Sequence, residues 1–344
     1  MLAYIYKNGE KLSLEEVSTP DLGDGVIIKV LACSICGTDI RTYNFGSNKI
    51  DKNRIIGHEM VGVIEKISPD IPGNFRVGDF VGMAPAIGCG QCRICKRGKP
   101  NMCDRLSTIG FQYDGGFAQY AAIPSSAFLM GNVYHIPKDA DPAVMALCEP
   151  FACVINAQSY LNISPGENVV IFGGGMIGCM HGELALSAGA GSVTIIEMDE
   201  KRISQSRNLL SFVTFINGSE CDVVEEVLSK TDGYGADVVI VACSSGVAQT
   251  NGLNMLAKCG RISLFGGLPG DGVGLDSNLI HYRELGVFGV HASTPAQNKQ
   301  SMDMIISGKI SAAKYITKKY SLTDIETAFQ EAASGKVLKA VIVN

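Results

Sequence analysis

The sequence predicts an α/β protein with two domains, one irregular and β-rich and the other built on a doubly wound parallel sheet. Its 344 residues exceed the ~250–300 residues at which a single hydrophobic core stops growing. Up to about residue 122, short β-rich segments are separated by Gly, Pro and Asp, as in an irregular β structure. From about residue 164, strand-like and helix-like segments alternate, which is typical of a parallel sheet covered by helices.

Hydrophobic periodicity places the individual segments. In the first domain, strands are predicted at Gly25–Leu31, Met60–Ile67 and Asp79–Met83. In the second domain, strands are predicted at Asn168–Phe172, Ser192–Ile196, Asp237–Val241 and Arg261–Phe265, and helices through Ala188, through Leu210 and near Val247–Ala257.

The alternation ends near His291, and the remaining tail is expected to return to the first domain. It contains two amphipathic helical stretches, Gln297–Ser307 and Leu322–Ser334, followed by a strand at Lys339–Val343. The expected domains are therefore residues 1–152 with 292–344, and residues 153–291.

Composition narrows the class of protein. Hydrophobic residues make up 46% of the chain and charged residues 18%, below the usual charged share of about 25%, so a folded globular protein is expected. The net charge of −5, without a run of Lys or Arg, argues against nucleic acid or an anionic membrane as a partner. Neither a signal peptide nor an apolar segment of ~18 residues is evident, which predicts a cytoplasmic protein. In that compartment the twelve cysteines should be reduced, and bind metal or be buried.

Four cysteines have metal-ligand spacing. Cys89, Cys92, Cys95 and Cys103 form a C-x2-C-x2-C-x7-C motif with glycines between them. Four thiolates fill a tetrahedral zinc site, which is then structural because no position is left for substrate. An iron–sulfur cluster is the chemical rival, and four unrelated buried cysteines the alternative without metal.

A glycine motif predicts a dinucleotide site. Gly173, Gly175 and Gly178 form G-x-G-x-x-G between a strand and a helix, where they permit a tight turn, close approach of a diphosphate and helix packing. Glu197 follows Gly178 by 19 positions and ends the next strand, where an acid binds the ribose hydroxyls and repels a 2′-phosphate. NAD is therefore favoured over NADP. Asp199 is a competing candidate for the ribose, and a glycine-rich turn without a ligand is the alternative.

Three further motifs are uninformative taken singly. They are Cys36-Gly37-Thr38-Asp39, Gly57-His58-Glu59 and Cys148-Glu149-Pro150. Cys36 could be a core thiol, His58 a buried imidazole and Glu149 a surface acid. Their presence beside a zinc motif and a dinucleotide motif makes a catalytic metal site the stronger interpretation.

Together these motifs give the chain a family resemblance. It resembles the zinc-dependent medium-chain dehydrogenase/reductase family, and within it the polyol (sorbitol-like) dehydrogenase branch. The motifs that carry the resemblance, in order, are CGTD at 36–39, GHE at 57–59, the four cysteines, DGGFAQY at 114–120, CEP at 148–150 and GGGMIG at 173–178. The resemblance implies a GroES-like catalytic domain, which contains the zinc sites, and a Rossmann coenzyme domain.

The resemblance also implies residue roles. Cys36, His58 and Glu149 would bind the catalytic zinc, with Glu59 as a further ligand or close neighbour. Glu149 stands where the alcohol-metabolising branch has a cysteine, which favours polyols. The remaining implied roles are Asp39 orienting His58, Thr38 relaying the substrate hydroxyl proton, Ile177 packing behind the nicotinamide and Arg202 reaching the adenosine ribose.

The implied activity is reversible, NAD-dependent oxidation of a secondary hydroxyl of a polyol or sugar alcohol, plain or phosphorylated, to a ketone. Two zinc ions per chain and a homodimer or homotetramer are implied as well. The alternatives are a threonine-type or simple secondary-alcohol dehydrogenase, a zinc-free reductase of the same fold, and a non-catalytic zinc- and NAD-binding protein.

Arg41 departs from the family pattern. Many relatives have there a histidine that passes the relay proton to solvent, whereas a guanidinium stays charged and accepts no proton. One hypothesis is that Arg41 faces the cleft and contacts a phosphate or carboxylate of the substrate. The alternative is a solvated or cofactor-facing arginine.

Overall fold

A computed structural model describes residues 1–7 and 11–344 of the chain. These residues form two compact units. The first combines Met1–Ala152 with Ala292–Asn344, and the second consists of Cys153–His291. None of the helices in the described residues is long and apolar enough to cross a membrane.

The strands are numbered in chain order. They are β1 Leu2–Lys7, β2 Lys11–Glu16, β3 Val26–Ser34, β4 Arg54–Ile55, β5 Glu59–Ile67, β6 Phe80–Met83, β7 Ala86–Ile87, β8 Ser107–Thr108, β9 Tyr120–Ile123, β10 Val133–His135, β11 Asn168–Phe172, β12 Ser192–Glu197, β13 Thr214–Asn217, β14 Ala236–Val241, β15 Leu256–Leu264, β16 Gly286–Gly289, β17 Lys318–Ser321 and β18 Ala340–Val343.

The α-helices are numbered in the same way. They are α1 Gly37–Phe45, α2 Arg93–Lys96, α3 Ser125–Leu129, α4 Pro142–Met145, α5 Cys148–Leu161, α6 Met176–Ser187, α7 Glu200–Arg207, α8 Val223–Lys230, α9 Gly246–Asn254, α10 Ser277–Tyr282, α11 Pro295–Ile306 and α12 Ile325–Ala333. Short 3₁₀ turns lie at Pro100–Met102, Ala312–Tyr315 and Leu322–Asp324.

The first unit is built around one mainly antiparallel sheet. Its strand order is β10-β6-β5-β3-β18-β17, and β9 also pairs with β3. The long central strand β3 is largely apolar, and Val26, Ile28 and Val30 are fully buried in the main core of the unit. The final strand β18 pairs with β3, with Val341 opposite Ser34, so the last strand of the chain lies within this sheet between β3 and β17.

The second unit contains a six-stranded sheet of order β13-β12-β11-β14-β15-β16, in which every pairing is parallel. This is the doubly wound order, with its switch point between β11 and β14. Both strands are near-continuous apolar runs because helices cover both faces of such a sheet. The irregular β-rich domain and the doubly wound sheet expected from the sequence are thus confirmed.

Some element boundaries differ from the sequence prediction. The helix predicted near Val247–Ala257 ends at Asn254, and β15 begins at Leu256, not at Arg261. Periodicity misses the first half of β15 because it is irregular: Cys259 has a φ of 62°, and the register with β14 shifts between Ala236 and Val238. The four-residue strand β13 and the helix α8 were not predicted, since so short a strand gives little periodic signal.

One buried histidine of the second unit has an uncharged environment. The imidazole of His181 is fully buried, lies edge-on to the Phe265 ring at 4.9 Å, and has the Gln158 side-chain amide 3.3 Å from Nδ1. Burial lowers the pKa of His181 to about 3. The folded protein therefore holds this side chain neutral at pH values where a solvated histidine takes up a proton.

We expect His181 to make the second unit sensitive to acid. Between the ordinary histidine pKa of about 6.5 and about 3, the unfolded chain binds more protons than the folded chain, so stability falls as the pH falls, by up to about 1.4 kcal/mol per pH unit. His181→Leu should flatten the pH dependence of the urea midpoint between about pH 6.5 and 5. The exposed His281 provides the control, and His281→Leu should keep the wild-type slope. An unchanged slope in His181→Leu would contradict the assignment.

Candidate metal centres and dinucleotide loop

Cys36 lies where β3 passes into α1, as the N-cap residue of that helix. The Thr38 N–H donates to Cys36 Sγ at 3.5 Å, and the Cys36 N–H donates to Asp39 Oδ2 at 2.9 Å. The amide dipoles at a helix N-terminus favour negative charge on a side chain placed there. The local structure therefore suits the Cys36 sulfur to bind a cation.

His58 and Glu59 lie at the start of β5, next to Cys36. The register of β3 with β5 places Ser34 opposite Glu59. Gly57 has a φ of 96°, and a Cβ at this position would meet the Phe117 ring and Cys33 Sγ within 2.9 Å, so glycine is required. The ligand atoms of Cys36, His58 and Glu59 all lie within 4.8 Å of one another. We call these three residues the Cys36 cluster.

Negative groups converge on His58. Burial alone would lower its pKa, but the charges of Cys36 and Asp39, a hydrogen bond to Cys36 and the charge of Glu149 raise the pKa well above its usual value. His58 Nδ1 lies 3.7 Å from Asp39 Oδ1, which is an ion-pair distance and too long for a direct hydrogen bond. Burial, partly offset by His58, raises the pKa of Asp39 to about 6. The negative groups around His58 thus favour the binding of a cation at the Cys36 cluster.

Glu149, the fourth expected ligand, is on the first turn of α5 and is 8% exposed. It is not part of the 4.8 Å group, although its charge acts on His58. The adjacent Cys148 is fully buried in the first unit. The structure therefore brings Cys36, His58 and Glu59 together and places the Glu149 carboxylate farther out.

The donor types of the Cys36 cluster fit zinc, which takes thiolate, imidazole and carboxylate ligands. Glu59 also has partners of its own. Its Oε2 accepts hydrogen bonds from the Ser34 hydroxyl and from Lys339 Nζ, the latter at 2.5 Å. Sequence reasoning missed Ser34 and Lys339. A lysine just before an apolar terminal strand was the available signal for Lys339.

The four cysteines of the second motif also form one group, with all four sulfur atoms within 4.8 Å of one another. Cys92 Sγ and Cys103 Sγ are 3.8 Å apart. This equals the edge of a tetrahedron with Zn–S bonds of about 2.3 Å. The group has the size and the donors of a closed tetrahedral zinc site.

Backbone amides surround these sulfur atoms. Cys103 Sγ accepts from the N–H groups of Cys89 and Arg105, at 3.2 and 3.3 Å. Hydrogen bonds from the backbone of Gln91 and Cys92 lower the pKa of Cys89 to about 6. Gly90 has a φ of 70°, which turns the chain between the first two cysteines. The turns thus lower the pKa of Cys89 and Cys92, whereas burial raises the pKa of Cys95 to about 12.

The glycine motif follows β11 at the switch point of the parallel sheet. Gly173 has a φ of 103° and Gly175 is the N-cap of α6. A Cβ on Gly178 would lie 1.8 Å from the Gly173 carbonyl oxygen, whereas a Cβ on Gly175 would meet only Arg202 Nη1, at 3.6 Å. Gly178 is therefore required for packing, and Gly175 leaves open space over the helix N-terminus.

Polar side chains hold this loop. Glu197 Oε2 accepts from the Gly174 N–H at 2.8 Å, while Oε1 accepts from the N–H groups of Met198 and Asp199. The Ser206 hydroxyl donates to the Gly174 carbonyl at 2.5 Å, a contact that the sequence did not suggest. Asp199 caps α7 by accepting from the Lys201 N–H. Both carboxylates thus accept backbone hydrogen bonds, and of the two it is Glu197 that is bonded to the glycine loop.

The remaining predicted residues have the following positions. Thr38 is half-buried on the first turn of α1, and Arg41 is exposed one turn later. Ile177 is half-buried on the first turn of α6, and Arg202 is half-buried on α7 beside Gly175.

Comparison with known proteins decides the family. Residues 23–138 match the family described as alcohol dehydrogenase GroES-like domain, and residues 177–307 match zinc-binding dehydrogenase. L-threonine 3-dehydrogenase of Pyrococcus furiosus is 36% identical over 96% of this chain and 94% of that protein. The chain belongs to the zinc-dependent medium-chain alcohol dehydrogenase family. It is thus an oxidoreductase acting on CH–OH groups.

Two further relatives extend the comparison. Sorbitol dehydrogenase of Bacillus subtilis is 28% identical over 98% of this chain and 94% of that protein. A solved structure from Sinorhizobium meliloti, described as a zinc-binding dehydrogenase bound to NADP, superposes with a TM-score of 0.92 at 28% identity, covering 100% of this chain and 99% of the other. The family expected from the sequence is confirmed, and relatives with both polyol and threonine substrates are present.

Two glycine substitutions separate packing from ligand approach. Gly178→Ala should lower the free energy of unfolding by about 2 kcal/mol or more, because its methyl group would overlap a backbone oxygen. Gly175→Ala should leave stability within about 0.5 kcal/mol of wild type but weaken NAD binding, because the methyl group enters the space over the helix N-terminus. Thermal denaturation and calorimetric titration with NAD measure the two effects. Wild-type NAD affinity in Gly175→Ala would show that the diphosphate does not bind at this loop.

Proposed function

We propose that this protein is a zinc- and NAD-dependent dehydrogenase that oxidises a secondary hydroxyl of a polyol or sugar alcohol to a ketone, reversibly. The observation that carries the proposal is the Cys36 cluster, in which a thiolate at a helix N-terminus, an imidazole and a carboxylate converge within 4.8 Å. The buried Glu149 beside it supplies a further acidic ligand. A zinc-free reductase has no need for this set of residues, so the cluster argues against that alternative.

The chain would hold two zinc ions. Cys36, His58 and Glu149 would bind the catalytic ion, with Glu59 beside it, and the four cysteines at 89, 92, 95 and 103 the structural ion. When bound, the catalytic zinc supplies Lewis acidity that lowers the pKa of a substrate hydroxyl.

The chain's own residues orient and deprotonate the substrate. Asp39 Oδ1 lies 3.7 Å from His58 Nδ1, where its charge would orient the imidazole ring. The Thr38 hydroxyl accepts the substrate proton and passes it on. Arg41 cannot accept that proton, so the proton leaves the site by another route.

NAD is the proposed cofactor. Three backbone amides hold the Glu197 carboxylate at the carboxyl end of β12, where it would bind both ribose hydroxyls and repel a 2′-phosphate. Arg202 Nη1 lies near Gly175, within reach of the adenosine ribose and the diphosphate of a bound dinucleotide. Ile177 would pack behind the nicotinamide ring.

A threonine-type dehydrogenase is the second candidate. L-threonine 3-dehydrogenases from three Pyrococcus species and Thermococcus kodakarensis are 33–36% identical to the chain, compared with 28–30% for the sorbitol and D-xylulose relatives. Threonine shares with polyols a secondary hydroxyl next to a carbon with a polar group. The same cluster can therefore serve either substrate, and turnover must decide between them.

The activity is tested with zinc-replete enzyme. We expect NADH formation with one or more of sorbitol, xylitol, ribitol, galactitol and their monophosphates, at a kcat/KM above that for L-threonine and for simple secondary alcohols. NAD should be preferred over NADP by at least about tenfold, because Glu197 repels the 2′-phosphate. A chelator should abolish activity, and added zinc should restore it.

Zinc analysis provides the matched control. Cys36→Ser should retain one zinc per chain and lose activity, whereas the core-facing Cys148→Ser should retain two. A higher kcat/KM for L-threonine would replace the polyol with the second candidate. NAD binding without turnover of any alcohol would refute the dehydrogenase assignment.

Arg41 is tested with the same substrates. If it contacts an anionic group, Arg41→Ala should raise KM for a polyol phosphate by about tenfold or more and leave KM for the plain polyol within about twofold. The exposed Arg97, which lies between Cys95 and Cys103 in the four-cysteine motif, serves as the control, and Arg97→Ala should change neither value. Equal effects of Arg41→Ala on both substrates would assign Arg41 to the cofactor or to solvent.

A further inference from the structure

Ser206 places a fully buried hydroxyl on the side of α7 that faces the glycine loop. A buried hydroxyl needs a hydrogen-bond partner, and a serine inside a helix commonly finds one in a carbonyl of its own helix. Ser206 instead donates to the Gly174 carbonyl at 2.5 Å, outside its helix. The hydroxyl therefore connects α7 to the middle of the glycine motif.

This hydrogen bond acts on the peptide group between Gly174 and Gly175. The peptide has glycine on both sides, so no Cβ restricts rotation of its plane. The bond from the Gly174 N–H to Glu197 fixes the preceding peptide and not this one. Cys179 Sγ lies 3.6 Å from the same carbonyl oxygen, but a thiol is a weak donor. Of these two donors, the Ser206 hydroxyl is the one that can fix the plane.

The orientation of this plane determines where the Gly175 N–H points. The described residues contain no cis peptide bond, and in a trans peptide the C=O and N–H groups point in opposite directions. With the Gly174 carbonyl on Ser206, the Gly175 N–H therefore points away from the Ser206 hydroxyl. Gly175 is the N-cap of α6, and a Cβ on it would meet only Arg202 Nη1, at 3.6 Å. A diphosphate that enters this space meets donor groups at the helix N-terminus.

We propose that Ser206 is a positioning residue for the dinucleotide, which holds the Gly174–Gly175 peptide in the orientation that accepts a diphosphate. The inference rests on the proposed function, because it presumes a dinucleotide at this loop. Without the hydroxyl, the peptide is free to flip between its two glycines. The flipped form turns the Gly174 carbonyl oxygen to the side where the Gly175 N–H was, and its partial negative charge repels the diphosphate. Ser206 thus keeps the loop in its binding form.

The decisive variant is Ser206→Ala, which removes the hydroxyl and nothing else. We expect the Kd values of NADH and ADP-ribose, measured by calorimetric titration, to rise about tenfold, the size of effect that the loss of one hydrogen bond allows. KM for NAD should rise by a similar factor, whereas KM for the alcohol should stay within about twofold and kcat at saturating NAD should not fall. Wild-type affinity for ADP-ribose in this variant would overturn the proposal.

A ligand without a diphosphate separates this role from general support of the fold. Adenosine presents the base and the ribose hydroxyls but no phosphate, and its inhibition constant is measured by competition with NADH. If Ser206 acts on the diphosphate, the inhibition constant of adenosine should stay within about twofold of wild type in Ser206→Ala. An equal loss of affinity for adenosine and ADP-ribose would show that the whole site has loosened, and would overturn the proposal.

Two further variants complete the set. Ser204→Ala is the matched control, because Ser204 is an exposed serine on the same helix and the chemical change is identical; it should bind ADP-ribose as wild type does. Ser206→Cys keeps the size of the side chain and a weak donor, and should raise the Kd of ADP-ribose by about threefold with adenosine unchanged. It supplies the same comparison of ligands if Ser206→Ala fails to fold.

The flip itself has a structural readout. A tenfold loss of affinity means that only about a tenth of the free variant retains the binding orientation of the peptide. A crystal structure of ligand-free Ser206→Ala should therefore show the Gly174 carbonyl turned away from α7. A tenfold loss of affinity with this carbonyl unmoved would overturn the proposed flip.

The failure of each proposal gives a distinct result. A wild-type chain that binds neither NAD nor ADP-ribose would refute the proposed function and this inference together. A wild-type chain that turns over an alcohol with NAD, but whose Ser206→Ala variant keeps full affinity for ADP-ribose, would refute only the role of Ser206. A wild-type chain that binds ADP-ribose, weakens tenfold in Ser206→Ala and turns over no alcohol would refute only the dehydrogenase assignment.

Discussion

The antiparallel register of β3 with β5 and with β18 positions Cys36, His58 and Glu59 and the buried lysine beside them. Ser34 lies opposite Glu59 on one side, and Val341 lies opposite Ser34 on the other. Side chains alternate between the faces of a strand, so a slip of one residue in either pairing would turn Glu59 or Lys339 to the wrong face. The residues joined in this way come from the beginning and the end of the chain. The contact between Lys339 and Glu59 can therefore form only once the final strand has paired with β3.

The sequence predicts most of what depends on local patterns. The alternation of apolar segments identifies the parallel sheet, and β11 is found with the predicted bounds because its apolar run ends abruptly at glycine. The four-cysteine motif and the glycine motif are recognisable because the residues of each are close in the chain. Short turns bring them together independently of the rest of the fold. Local spacing is sufficient for such sites.

Contacts between distant segments could not be predicted in this way. Ser34 and Lys339 are 25 and 280 positions from Glu59, and no periodicity links them. The resemblance supplies Glu149 as a ligand but does not give its distance from the other three residues. The early start of β15 escapes a periodic reading because its first half is irregular. Sequence patterns thus identify the candidate ligands, whereas the strand register shows which distant residues contact them.

The hydrogen bonds of the Gly174 backbone affect how a ligand binds to the second unit. Its N–H is bonded to Glu197 and its carbonyl to Ser206, so both polar groups of this peptide segment are fixed by side chains from the neighbouring β12 and α7. Most of the conformational entropy of the loop is then lost during folding and not during association. A dinucleotide that binds here meets a rigid surface. Differences in affinity between related dinucleotides should consequently reside in dissociation rates, while association stays close to the diffusional encounter of a preformed site.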